Sequence, residues 1–267
     1  MKELLEKYER LKEDIACMQS VAVAYSAGVD STFLLHAARE ALGERVLALT
    51  AVLYSVPERE VKEAIEYCGK HRIRHKVVEL NELTIPGFAD NPKDRCYLCK
   101  KALFSHMKEM AEQMGARELV EGSNADDTRD YRPGMKAISE LGIKSPLLEH
   151  SFTKDEIRRL SRHFGLPTWD KPSYACLSSR IPYGELITAD KLKMIEEAEE
   201  FMMELGFSQV RVRMHRDIAR IEVEIDQLSK IMEDDIRQKI YKRLKEIGFS
   251  YITVDLGGFR SGNLNQI

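Results

Sequence analysis

The chain has 267 residues, enough for one or two domains at about 150 residues each, so a packed core rather than disorder is the default. Lys plus Arg number 41 against 44 Asp plus Glu, which excludes a global basic field that would draw the chain to nucleic acid or a membrane surface; any anion site must be local. No apolar run approaches the roughly 18 residues of a membrane span, and the opening MKELLEKYERLKEDIA lacks a signal peptide's apolar centre, so cytoplasmic residence is expected.

Leu4, Leu5, Tyr8, Leu11 and Ile15 recur at helical spacing and predict an amphipathic first helix. VAVAY at 21–25 reads as a buried strand. Strand-length apolar runs then alternate with helical patterns: helix 31–42, strand 46–52, helix 58–70, strand 75–80, helix 100–113, strand 118–121. This order predicts βαβ units and a parallel sheet with helices on both faces, whose ligands sit beyond the strand carboxyl ends. From Pro167 through TWDKPSYACLSSRIPYG no period survives, and the segment reads as an ordered junction. From Thr188 a helix at 189–205, strands at 209–215 and 220–225, a helix at 227–247 and a strand at 250–255 predict a small α+β domain. The expected division is 1–170, a junction loop at 171–187 and 188–267, with the active site at the junction.

Ser26-Ala27-Gly28-Val29-Asp30-Ser31 lies between the first strand and a helix. Small residues there let phosphate oxygens approach the unpaired N–H groups of the helix start, and Ser26 and Ser31 add hydroxyls. The loop has no Walker lysine and no G-x-G-x-x-G, and the plainer alternative is a helix cap. Gly122-Ser123-Asn124-Ala125-Asp126-Asp127 follows a strand, with Asp130, Arg132 and Gly134 beyond. Its carboxylates suit Mg²⁺, and equally an ordinary turn. Cys96 and Cys99 form C-x-x-C ahead of a helix, and Cys176 lies about 80 residues on; redox disulfide, half a zinc site, iron–sulfur ligation and coincidence all remain open on spacing. Cys17 and Cys68, on helices with apolar neighbours, are expected to be buried. Arg211, Arg213 and His215 share one side of a strand and suit phosphate or carboxylates, whereas Arg220 is expected to pair with Glu222 or Glu224. Arg260, within Gly-Gly-Phe-Arg-Ser-Gly, is a further phosphate candidate. Arg180 and Lys101 are placed at the nucleotide phosphates by position alone.

The SAGVDS loop resembles that of the PP-loop ATP pyrophosphatases, S-G-G-x-D-S, with Ala27 replacing the middle glycine. The departure is harmless if φ there stays negative and strained if it is positive. VAYSAGVDST, NPKDRCYLCKKALF, DYRPGMKAISE, KPSYACLSSRIPYGELIT, VRVRMHRDIARIE and VDLGGFRSGNLN together resemble the LarE family of ATP-dependent sulfur transferases over nearly the whole chain. That resemblance implies a PP-loop (adenine nucleotide alpha-hydrolase-like) domain using ATP and Mg²⁺, with Ser26 to Ser31 and Gly122 at the nucleotide, beside Lys101 and Arg180 placed there by position, and Asp30 and Asp127 at the metal. It implies a small nucleotide substrate, pyridinium-3,5-biscarboxylic acid mononucleotide, adenylated at a carboxylate and converted to a thiocarboxylate for the nickel-pincer nucleotide cofactor. Arg211, Arg213, Arg260 and Glu199 would meet that substrate. Two sulfur routes follow. In one, Cys96, Cys99 and Cys176 bind a [4Fe-4S] cluster reloaded by sulfide or a sulfur donor; in the other, Cys176 alone gives up its sulfur. Homo-oligomers are the family's habit. A PP-loop tRNA thiolase is the rival enzyme, disfavoured by the negative charge, and a nucleotide- or metal-binding regulatory protein without catalysis is the non-enzymatic rival.

Overall fold

The computed structural model describes residues 1–129, 133–172 and 175–260. The chain forms two compact units, one made of Met1–Ile85 with Asp94–Tyr174 and the other of Pro86–Lys93 with Ala175–Ile267. The loop Pro86–Lys93 thus belongs with the second unit although it sits in the middle of the first in sequence. Asn91 ties it there, its amide donating to the carbonyls of Ile181 at 3.1 Å and Pro182 at 2.7 Å.

The first unit runs α1 (Lys2–Cys17), β1 (Val21–Ala24), α2 (Val29–Leu42), β2 (Val46–Val52), α3 (Glu58–Lys70), β3 (Arg74–Glu79), α4 (Arg95–Gln113), β4 (Glu118–Val120), α5 (Pro133–Glu140), α6 (Pro146–Glu149) and α7 (Lys154–His163). The sheet order is β3-β2-β1-β4, every pair parallel, with Val21 opposite both Val46 and Glu118. Parallel neighbours need crossovers, and the alternating side chains of β1 and β2 explain why helices cover both faces. Val21, Val23, Val46 and Ala48 pack with α1, α2 and α3, whereas Ala22, Leu47 and Leu49 pack with Leu103, Phe104, Met107 and Ala111 of α4 and Ile138 of α5. Helix α1 buries Leu4, Tyr8, Leu11 and Ile15, the expected stripe. Cys17 lies off that stripe and is exposed, contrary to expectation, because the next inward position is Met18; Cys68 is buried as expected.

The second unit contains α8 (Ala189–Glu204), β5 (Val210–His215), β6 (Ile218–Val223), α9 (Leu228–Ile231), α10 (Asp234–Ile247) and β7 (Tyr251–Val254). Its sheet is mixed: β5 and β6 are antiparallel, with Arg213 opposite Arg220, and β6 and β7 are parallel. Strand β6 begins two residues earlier than the alternation suggests. The helix expected at 227–247 is broken at Glu233, the N-cap of α10, where Asp234 and Asp235 occupy a first turn that favours negative charge.

Candidate functional site

The chain leaves β1 through Ser26 and Ala27 and enters α2 at Gly28, its N-cap. Ala27 has φ +53°, in the left-handed region, and is 3% exposed. The favourable condition for replacing the glycine is therefore not met: the alanine keeps the glycine's backbone shape at a cost of about 1–2 kcal/mol. The turn is braced internally. Ser31 Oγ lies 3.1 Å from Ser26 Oγ, accepts from Ser26 N–H at 3.2 Å and donates to Gly28 O at 3.3 Å. The Nζ of Lys171 donates to Ala27 O at 2.9 Å and also pairs with Glu63. Fourteen residues of α2 stand behind this turn, so its start is a dipole end with N–H groups available to an anion.

Gly122, just past β4, lies against that helix start. A Cβ there would meet Ser31 N at 3.2 Å and the carbonyl carbon of Asp30 at 3.3 Å, both backbone atoms, so an added methyl would force the two backbones apart by a few tenths of an ångström. The following turn is held by its own side chains: Asp127 Oδ2 accepts from Asn124 N–H and Asn124 Oδ1 from Asp126 N–H, both at 3.0 Å. Beneath it Glu121 is 6% exposed and accepts from Ser123 N–H at 3.1 Å, Ser123 Oγ at 2.8 Å and Ser145 Oγ. Asp130 and Arg132 lie outside the described residues, as do Ser261 and Gly262.

Asp30, on the first turn of α2, is paired with the Lys154 ammonium at 2.5 Å through Oδ2, while Oδ1 is buried with no hydrogen-bond partner among the described residues. Desolvation pushes its carboxyl above the usual range, Lys154 pulls against that, and Asp127 pushes the same way as burial. Lys154 and Lys171 are two site residues that the sequence did not reveal. Lys154 opens α7, where Thr153 and Glu156 form a capping box, and its backbone N–H donates to Asp126 Oδ2 at 2.8 Å. The T-x-x-E pattern could have located that helix start, but nothing local connects Lys154 with Asp30, 124 positions away. The half-satisfied Asp30 and the neighbouring Asp127 fit a hard cation as oxygen donors.

Cys96 and Cys99 are the second and fifth residues of α4 instead of preceding the helix, which begins at Arg95. Three positions apart on a helix, they share a face. Cys96 and Cys176 are exposed, Cys99 is half-buried, and none of the three is in a disulfide. Cys96 and Cys99 belong to the first unit and Cys176 to the second. Soft thiol donors, two of them on one helical face, fit iron–sulfur ligation chemically. Among the described residues, no three His, Cys, Asp or Glu side chains are gathered to hold a metal ion.

In the second unit Arg180, Glu199, Arg211, Arg213 and Glu222 are buried. Arg211 is 4% exposed, donates to Val210 O at 2.7 Å and lies over the Phe259 ring at 5.1 Å. Arg213 is 6% exposed and donates to Glu222 Oε1 at 2.7 Å and to Ser179 O at 2.9 Å. Arg220 pairs with the same Glu222 oxygen at 2.9 Å, as expected. Arg260 is exposed, and its guanidinium lies where a Cβ on Gly257 would come within 2.7 Å of Nη2. Arg180 is 1% exposed and all three of its guanidinium nitrogens bond within the unit; two of them grip Glu199, which is itself 3% exposed. Lys101 is exposed, its ammonium held by Tyr97 Oη at 2.8 Å and Glu140 at 3.0 Å.

No family model matches the chain. An uncharacterised protein of Synechocystis sp. is 40% identical over 99% of this chain and 98% of its own. The pyridinium-3,5-bisthiocarboxylic acid mononucleotide synthase of Lactiplantibacillus plantarum is 35% identical over 100% of this chain and 96% of its own. A glutamine-hydrolysing GMP synthase component from Thermoplasma volcanium is 26% identical over 61% of this chain and 57% of its own.

Proposed function

Because this chain belongs to the family of the pyridinium-3,5-bisthiocarboxylic acid mononucleotide synthase, we propose that it is an ATP-dependent sulfur transferase converting the carboxylates of pyridinium-3,5-biscarboxylic acid mononucleotide to thiocarboxylates for nickel-pincer cofactor biosynthesis. The observation that carries this reading is end-to-end similarity to that synthase in a chain whose first strand feeds a small-residue turn into a long helix.

The N–H groups of Gly28 to Ser31, with the hydroxyls of Ser26 and Ser31, would bind ATP phosphates at the positive end of α2. A substrate carboxylate oxygen attacks the α-phosphorus, the bond between that phosphorus and the bridging oxygen breaks, and pyrophosphate leaves an acyl-adenylate. A sulfur nucleophile then attacks the acyl carbon and AMP departs with the C–O electron pair. Asp30 and Asp127 would hold Mg²⁺, which neutralises phosphate charge. Arg211, Arg213 and Arg260 would take the substrate's phosphate, binding energy remote from the reacting carboxylate that orients it.

Cys96, Cys99 and Cys176 would hold a [4Fe-4S] cluster, a group that when bound supplies sulfide. The pair on one face of α4 favours this route over loss of sulfur from Cys176 alone, since the latter has no use for Cys96 and Cys99. Reloading requires sulfide or a sulfur donor, and the edge strands of the small sheet suit homo-oligomer formation.

Pyrophosphate release from ATP that requires the biscarboxylic nucleotide, with sulfur-for-oxygen exchange in the product by mass, is the expected result; ATP turnover indifferent to that nucleotide overturns the reading. Iron and acid-labile sulfide in anaerobic protein, lost on Cys96→Ala, Cys99→Ala and Cys176→Ala, support the cluster route. Iron-free protein that turns over once and leaves dehydroalanine at position 176 overturns it.

A further inference from the structure

Within the second unit a continuous polar chain runs from strand β5, where it is buried, to the part-buried backbone of Cys176. Glu199 Oε1 accepts both the Val212 N–H at 3.0 Å and Arg180 Nε at 2.8 Å, and its Oε2 accepts Arg180 Nη2 at 3.0 Å. The remaining nitrogen, Nη1, donates to Ala175 O at 2.7 Å, Cys176 O at 3.2 Å and Ser179 Oγ at 2.9 Å. Ser179 Oγ donates in turn to Cys176 O at 2.7 Å, and Ser179 O accepts from Arg213 Nη1 at 2.9 Å. The Cys176 carbonyl is thus gripped from inside while the residue itself is exposed.

Desolvating an arginine and a glutamate costs several kcal/mol each, and their attraction returns this only when the remaining donors and acceptors are satisfied. Here the Nη1 donors go to the 175–179 turn. The same stability is available from apolar side chains of similar volume, so what distinguishes the ionic arrangement is the fixed backbone beside the thiol. We propose that Arg180 and Glu199 are positioning residues that anchor Cys176 to strand β5, and do not bind ATP or substrate. The functional part of this inference rests on Cys176 handling sulfur, as proposed above.

The test uses the full chain carrying Arg180→Met with Glu199→Gln. The glutamine carbonyl still accepts from Val212 N–H and the methionine fills the arginine stem's volume, so the fold keeps its contacts while the turn loses its anchor. Glu199→Gln alone is the second variant should the double one unfold. Hydrogen exchange at the Ser179 and Ile181 amides, which bond to Cys176 O and Ser178 O, should be about tenfold faster with the β5 amides unchanged. Thiocarboxylate formation should fall about tenfold with the KM for ATP unmoved. Unchanged exchange at Ser179 and Ile181 overturns the proposal, and so does a raised KM for ATP, which would return Arg180 to the nucleotide. If the unaltered chain forms no thiocarboxylate, the functional reading fails while the exchange result still decides the anchoring.

Discussion

The loop at the head of α2 and the arginine-bearing strand β5 are both anion-suited regions, built in opposite ways. The loop works through main-chain N–H groups, small residues and a helix end, and its ionic pair, Lys154 with Asp30, is part-exposed on both sides at 29% and 24%. Strand β5 works through long charged side chains sunk into the unit, where Arg213 and Glu222 are 7% and 0% exposed. A backbone cradle needs close approach and tolerates few added atoms; a buried ionic set needs complete pairing and tolerates few removed ones.

The largest effect that sharpens this contrast is expected from Glu222→Ala, which leaves the buried Arg213 without its carboxylate and beside the part-exposed Arg220. Urea unfolding should show a loss of about 3–5 kcal/mol, against under about 1 kcal/mol for Lys154→Ala at the part-exposed pair. Equal losses would break the contrast. Next comes Gly122→Ala, whose methyl would press on the backbone of Asp30 and Ser31. A cost of about 1–3 kcal/mol is expected together with loss of substrate-dependent pyrophosphate release, read in parallel.

Ala27→Gly should move stability by less than about 1 kcal/mol. Relief of about 1–2 kcal/mol at positive φ is offset by roughly 0.4–1 from the freer unfolded chain and about 0.8 from the lost buried methyl. A several-kcal/mol loss in thermal or urea melts would be incompatible with a left-handed Ala27. The smallest effect concerns pH and lies away from both regions. His36, stacked on Tyr8 and packed on Phe164, is pushed by burial below its ordinary value of 6.5, with Glu40 pulling back. The unfolded chain therefore takes up the proton first, so this contribution to stability is complete above 6.5 and is lost as pH falls through the depressed folded value. His36→Phe should flatten the acid side of the stability profile but not level it, because burial also lowers His75 and His215.

Much of the first unit was legible in the sequence. VAVA, VLALTAV and the intervening helical periods encode a parallel sheet locally, and SAGVDS after a buried strand marks the turn into a helix start without long-range information. The helix restart at Glu233 was not legible because an apolar period continues across it, and α6 is a single turn with no period to detect, whereas α7 carries a legible capping box and an inward Ile157 and Leu160. The arginines of β5 were legible as a face, since alternation assigns sides; whether that face meets solvent or a glutamate is a tertiary matter.

Contiguous residues determined by themselves the α/β class and the strand-turn-helix loop, since each depends on backbone geometry set by neighbours in the chain, whereas the sequence left Cys96 and Cys99 ahead of a helix that in fact includes them. Only the tertiary structure decided that Ala27 adopts the glycine conformation, that Lys154 faces Asp30, that residues 86–93 join the second unit and that Arg180 grips the Cys176 turn. Those outcomes depend on partners and packing that the fold must first bring together, and on the desolvation that forces buried charges to pair with whatever lies beside them.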